Sequence, residues 1–252
     1  MLNPLDLTGK RVLVTGASSG IGPQIARLLS QLGAQVILVG RDLQRLNAAA
    51  QALDRGAHRV EPFDLLQTDA IPAWMKSLAG ALGPLHGLVH CAGIHTTLPM
   101  RVWNSTSHEA LMRVNVAAAL ALAKGLRQAA VRAPQASLVF LSSVSAFLSG
   151  GGHVDYAASK GAIISMTRGL ANEFARDGVR VNCLVVGFVQ AGMSNEAVNY
   201  WTAEQYDAIQ KRHLLGLGQP KDVAHATAFL LSEASSWITG TALVVDGGFS
   251  VV

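Results

Sequence analysis

Charge is scarce in these 252 residues, with Asp, Glu, Lys and Arg together making up 14%. The net charge of +4 would suit an anionic ligand, but the basic residues are scattered singly. No clustered Lys/Arg face exists of the kind that binds nucleic acid. Cysteine is almost absent: Cys91 and Cys183 have no metal-ligand spacing, and a chain this long needs no disulfide to hold its core. A reducing cytoplasm is the expected compartment. No apolar run reaches the roughly 18 residues of a membrane span, and residues 1–10 lack the apolar core of a signal peptide, so a soluble protein is expected. No repeat, low-complexity tract or break in composition divides the chain, which predicts a single domain over residues 1–252.

What is abundant is hydrophobic residues, at 50%, together with alanine and glycine, a composition suited to helices packed closely on a sheet. Short apolar runs at residues 11–15, 35–39, 60–63, 85–90, 137–141, 180–185 and 242–245 read as strands. Helical stretches alternate with them, among them 69–82, 109–131, 156–176 and 220–231. The alternation predicts a doubly wound parallel sheet of about seven strands with helices on both faces. Ligands of such sheets bind beyond the carboxyl ends of the strands.

Several polar and glycine residues fall at those ends. Gly16, Ser18, Ser19, Gly20 and Gly22 lie between the first strand and an Ile25/Leu28/Leu29/Leu32 helical stripe, where glycine lets a pyrophosphate approach backbone N–H groups at a helix N-terminus. Gly40 and Arg41 end the second strand. A basic residue there meets a ribose 2′-phosphate and an acidic one a 2′-OH, so Arg41 predicts NADP(H), with NAD(H) the second choice. Asp42 reads as the cap of the next helix. Asp64 could accept from an adenine amino group or simply face solvent. Small residues at Cys91, Ala92 and Gly93 would let a nicotinamide ribose lie against the chain. His90 and Cys91 invite a catalytic reading, but neither has an obvious partner at this buried strand end.

Tyr156 and Lys160 stand four apart on a predicted helix and therefore on one face. An adjacent ammonium favours the phenolate, which would lower the tyrosine pKa and let it exchange a proton with a substrate oxygen. Asn115 sits amid apolar neighbours, where it either satisfies local backbone or holds a water beside the lysine. Ser142 and Ser143 end the fifth strand, where a serine can hydrogen-bond a substrate oxygen. The irregular stretch 189–217, with Met193, Tyr200, Trp201, Tyr206 and Ile209, reads as a substrate lid or as packing against another subunit.

Together these residues resemble the short-chain dehydrogenase/reductase family over essentially the whole chain. Thr15-Gly16-Ala17-Ser18-Ser19-Gly20-Ile21-Gly22 looks like its cofactor turn, and Asp64 falls at its adenine position. Asn115, Ser143, Tyr156 and Lys160 fall at its catalytic tetrad, Ser143 being preferred to Ser142 because it lies thirteen residues before the tyrosine. The resemblance implies a Rossmann-type fold, a dinucleotide also touching Ile21, Leu65, Gly187 and Val189, and a small carbonyl or alcohol substrate. Tyr156 would move the proton, Lys160 would lower its pKa and bind the nicotinamide ribose, Ser143 would orient the substrate oxygen, and Asn115 would support a water relay. It also implies a homotetramer or dimer formed through the helices at 109–131 and 156–176. The family's Asn-Asn-Ala-Gly is His90-Cys91-Ala92-Gly93 here, so something else must brace the sheet. Val186 and Ala191 replace a proline and a threonine, with Ser194 a candidate substitute. The stretches around Tyr156 and over residues 212–248 resemble 3-oxoacyl-(acyl carrier protein) reductases, which makes an acyl carrier protein a possible partner, with Arg132 and Arg176 as candidate docking residues. The alternatives are an NAD-dependent alcohol or sugar dehydrogenase and a nucleotide-binding relative without chemistry.

Overall fold

The computed structural model describes residues 3–192 and 202–252. Seven strands form one parallel sheet: β1 (Arg11–Thr15), β2 (Gln35–Gly40), β3 (Arg59–Pro62), β4 (Leu85–His90), β5 (Arg132–Ser143), β6 (Arg180–Val186) and β7 (Ala242–Val245). Their order is β3-β2-β1-β4-β5-β6-β7, so the chain reverses its direction of winding between β1 and β4. That switch opens a crevice at the carboxyl ends of the two strands.

Side-chain alternation along the strands builds two cores. Val12 and Val14 face one layer, where Ile25 and Leu29 of α1 (Gly22–Gln31) and Val223 and Ala224 of a helix over Pro220–Leu231 pack. Leu13 and Leu88 face the other, with Met75 of α3 (Ile71–Leu82), Leu122 of α5 (Ala118–Arg127) and Ile163 of α6 (Val154–Phe174). Both faces of the sheet are therefore covered, as parallel sheets require. A second helix, α2 (Leu43–Gln51), follows β2.

The predicted helix over 109–131 is two helices and a π-helical turn. The chain enters α4 (Ser105–Met112) at Asn104, whose side chain accepts from Ser107 N at 2.9 Å. It widens to a π turn over Arg113–Ala117 and leaves α5 at Gln128, whose amide donates to Gly125 O and Pro72 O. Val131 is thus outside the helix. β5 begins at Arg132, five residues before its apolar run. Residues 189–217 are not irregular throughout: Thr202 and Gln205 form a reciprocal capping box that starts α7 (Ala203–Arg212), and α8 (Pro220–Leu231) follows. Met193, Ser194, Tyr200 and Trp201 lie outside the described residues. No described helix is long and apolar enough to cross a membrane.

Candidate active site

The turn after β1 has no room for side chains at two positions. Gly16 has φ +67°, and a Cβ there would stand 2.7 Å from Ala92 N; one on Gly22 would stand 2.1 Å from Gly16 O. Any side chain there would force the turn open or push it away from the exit of β4. Helix α1 starts immediately after it with no side-chain cap at Ile21 and a proline in its first turn, so its first N–H groups face the turn without a competing side chain. Ser18 lines the turn beside Gly40, where a Cβ would be 3.2 Å from Ser18 Oγ. Ser19 is exposed, and Gly20 and Ile21 are half-buried.

At the tip of β2, Arg41 is exposed, and among the described residues its guanidinium has no ion pair. Asp42 caps α2 as expected, and Arg45 engages both of its oxygens: Oδ1 accepts from Arg45 N at 3.0 Å and Oδ2 from Arg45 Nε at 2.7 Å. Phe63 N donates to Gly40 O, which brings the end of β3 alongside. Asp64 Oδ1 accepts from Leu66 N at 3.1 Å, Oδ2 has no hydrogen-bond partner among the described residues, and Leu65 is buried.

The brace that two asparagines would supply is made by Thr15 and His90. Thr15 Oγ1 lies 2.9 Å from His90 Nδ1 and accepts from Ala92 N at 3.3 Å, which stitches the carboxyl end of β1 to that of β4. The ring packs edge-on to Phe140 at 6.3 Å, and its Nε2 has no hydrogen-bond partner among the described residues. Burial, aided by the Lys160 charge, pushes His90 down to about 3, so the imidazole is neutral. Burial likewise pushes the Cys91 thiol up to about 12, which keeps it protonated and a poor nucleophile.

Beyond the crevice, β5 and α6 bring four candidate residues together. Ser142 is buried and donates to Lys160 O at 2.8 Å. Ser143 is half-buried; its Oγ accepts from Ser145 N at 3.2 Å and donates to Ser145 Oγ at 3.3 Å, and it stands near enough to Tyr156 to favour the phenolate. Lys160 Nζ donates to Leu141 O at 2.9 Å and stands 5.6 Å from the centre of the Tyr156 ring. Asn115, in the π turn, accepts from Ile94 N at 2.8 Å and donates to Ile94 O and to Ser159 Oγ. Ser159 in turn donates to Tyr156 O. The amide thus pins the exit of β4 to α6, and its Oδ1 retains one lone pair. Gly93 passes close by, with a Cβ position 3.2 Å from Asn115 Oδ1 and 3.6 Å from Lys160 Nζ.

The expected acidification of Tyr156 is overridden by desolvation. Burial pushes the phenol up to about 12, with the Ser143 hydrogen bond acting the other way. Lys160, buried too, is pushed down to about 8 by desolvation. A low-dielectric site penalises both charged forms, and here that cost exceeds what the ammonium returns across 5.6 Å. At neutral pH Tyr156 is therefore a hydroxyl donor.

The loop after β6 is set by a residue that sequence reasoning missed. His213, buried at the end of α7, lies 2.7 Å from Ile209 O through Nδ1 and accepts from Phe188 N through Nε2. The carbonyl fixes the ring as the Nδ1–H tautomer. Gly187 passes the ring closely, a Cβ standing 3.1 Å from its Nε2, and Val189 is buried in a bridge with Gly218. Arg132 starts β5 and bonds Asp177, and Arg176 follows α6. Both are at the amino edge of the sheet, remote from the crevice.

A family model described as "Enoyl-(Acyl carrier protein) reductase" matches residues 16–250. The chain is 34% identical to the 3-oxoacyl-[acyl-carrier-protein] reductase FabG of Rickettsia prowazekii, with 98% of this chain and 100% of that one covered. A short-chain type dehydrogenase/reductase from Mycobacterium ulcerans superposes with a TM-score of 0.91 at 31% identity, over 98% of this chain and 91% of that one. A gluconate 5-dehydrogenase from Burkholderia cenocepacia, solved with NADP and tartrate, gives 0.90 at 28% identity, over 99% and 98%.

Proposed function

The chain belongs to the short-chain dehydrogenase/reductase family, and we propose that it is an NADP(H)-dependent oxidoreductase that reduces a carbonyl or oxidises the matching alcohol. The observation that carries this reading is the buried Lys160 ammonium tied to Leu141 O and 5.6 Å from the centre of the Tyr156 ring, with Ser143 beside that tyrosine, at the strand ends that also hold the glycine turn.

Gly16, Ser18, Ser19, Gly20, Ile21 and Gly22 would hold the dinucleotide pyrophosphate, with Asp64 and Leu65 at the adenine. Cys91, Ala92, Gly93, Tyr156, Lys160, Gly187 and Val189 would contact the nicotinamide half. Exposed Arg41 and an Asp42 already occupied by Arg45 favour a 2′-phosphate over a 2′-hydroxyl, and the NADP of the Burkholderia relative supports the same choice. NAD(H) is the second choice. The dinucleotide, when bound, supplies or accepts the hydride.

The protein's own residues handle the oxygen. Ser143 donates to the substrate oxygen and fixes its position as charge develops. Tyr156, protonated at neutral pH, gives that oxygen its proton, so reduction is the direction for which this state is prepared. The phenolate left behind is stabilised by the Lys160 charge. Lys160 has two N–H donors beyond the one given to Leu141 O, and Asn115 Oδ1 has a lone pair for a water that returns the proton.

Among substrates, a 3-oxoacyl thioester presented by an acyl carrier protein is supported by the likeness to the Rickettsia reductase. A polyhydroxylated compound is supported by the likeness to the gluconate dehydrogenase. We read 189–217 as the segment that closes over either. We read the assembly as a cytoplasmic homotetramer built on the outer face of α4 and α5 and on α6, where Leu120 is exposed and Met112 and Val116 are half-buried. Oxidation of NADPH, followed by absorbance, against acyl-thioester, ketose, keto-ester and steroid carbonyls tests the reading. Turnover of at least one is expected; none with either NADPH or NADH would leave a nucleotide-binding protein without chemistry.

A further inference from the structure

The loop that leaves β6 crosses to the glycine turn after β1. A Cβ on Gly192 would stand 2.9 Å from Gly20 Cα, so residues 187–192 form a strap whose far end rests on that turn. Backbone bonds hold its near end: Gly187 N donates to Val245 O at 3.0 Å, Gly218 N to Phe188 O at 3.0 Å and Gln190 N to Gly218 O at 2.9 Å. Among the described residues one side chain bonds the backbone of the strap: His213, whose Nε2 accepts from Phe188 N at 3.1 Å.

The ring that supplies this acceptor is held on every side. His213 is 3% exposed, its Nδ1–H is given to Ile209 O at 2.7 Å, and Phe249 packs on it with ring centroids 4.8 Å apart. Gly187 is pressed between the imidazole and the turn after β7, where a Cβ would stand 2.8 Å from Asp246 Cα and 3.1 Å from His213 Nε2. The same ring therefore joins the end of α7 to the start of the strap. A buried N–H that loses its acceptor bears the full cost of its desolvation. Phe188 N–H consequently favours this position only while the Nε2 lone pair faces it.

We propose that His213 is a positioning residue for the dinucleotide: through Phe188 N it seats the strap at 187–192 against the nicotinamide half, so that affinity for this half depends on one imidazole lone pair. The assignment rests on the dinucleotide-binding reading above, in which Gly187 and Val189 contact the nicotinamide half. The adenine half, placed at Arg41, Asp64 and Leu65, makes no use of the strap. Loss of the lone pair is therefore felt by one end of the cofactor and not by the other.

The test uses two variants that differ by one methylene. In His213→Asn the amide can replace Nδ1–H toward Ile209 O but is too short to meet Phe188 N; in His213→Gln the longer amide oxygen can replace Nε2. Calorimetric titration gives the Kd of each protein for NADPH and for adenosine 2′,5′-bisphosphate, which has no nicotinamide half. NADH and adenosine 5′-monophosphate serve instead if the unmodified protein binds NADH the tighter. His213→Asn should raise the Kd for NADPH roughly tenfold to hundredfold, the scale of one buried hydrogen bond left unmade, and His213→Gln should stay within about threefold of the unmodified protein. The Kd for the adenine fragment should stay within about twofold in all three, which also shows that the variants are folded. An NADPH affinity unchanged by His213→Asn, or lowered equally by both variants, overturns the proposal and leaves the dinucleotide-binding reading standing. A parallel loss of the fragment and of NADPH overturns it too, because a general loosening of the fold weakens both. Failure of the unmodified protein to bind either dinucleotide overturns the reading beneath it.

Discussion

Lys160 holds its ammonium 5.6 Å from the centre of the Tyr156 ring while donating to Leu141 O at 2.9 Å. The cation is tied to the end of β5 rather than free to follow the phenol. Its position is consequently a property of the sheet, and its cost is a property of burial.

That cost should be measurable as stability. The unfolded chain keeps its lysine protonated up to the ordinary 10.5, whereas the folded protein releases the proton near 8. The penalty is fully present below pH 8 and is relieved as pH rises toward 10.5. Between pH 7 and 9.5 the wild type should gain about 2 kcal/mol relative to Lys160→Met, read by urea unfolding at each pH. Above that window Tyr156, pushed up to about 12, acts in the opposite direction. A flat difference between the two proteins would show that the lysine is not desolvated.

His90 should produce the acid counterpart. Its ring takes a proton at 6.5 in the unfolded chain and at about 3 in the folded one, so its contribution is intact above 6.5 and drains away as pH falls toward 3. From pH 8 to pH 5 the wild type should lose about 2 kcal/mol more than His90→Asn. Equal losses would place the imidazole in contact with water.

These two histidine and lysine environments were only partly legible in the sequence. The strands were, because runs such as Arg11–Thr15 and Gln35–Gly40 are apolar through their centres, as strands buried on both faces must be. The glycine turn was legible because its chemistry is local. Thr15–His90 joins residues 75 apart through the sheet register, and no local pattern encodes it. The π turn escaped because apolar spacing on either side of Asn115 still reads as one helix. α7 escaped because its sequence is polar. Its signal was the Thr202/Gln205 capping box. Tyr156 and Lys160 were found by residue type and spacing, and Ser143 and Asn115 joined them through the family resemblance, but the direction of the tyrosine shift was not legible. Spacing shows which charge is near and says nothing about how much water is lost.

Cofactor choice should turn on one side chain. Arg41→Ala should raise the KM for NADPH roughly tenfold to hundredfold, the loss of one or two charge-assisted hydrogen bonds, and leave that for NADH within about twofold. Equal increases for both would mean that Arg41 never meets a 2′-phosphate.

The most direct measurement is turnover by Tyr156→Phe beside its affinity for NADPH. The substitution removes one hydroxyl and keeps the ring that packs on His95. Loss of the proton donor should lower kcat by about 10² to 10⁴, while the NADPH Kd from fluorescence titration stays within about threefold. A phenylalanine variant that reduces its carbonyl at a rate near the wild type would contradict the account.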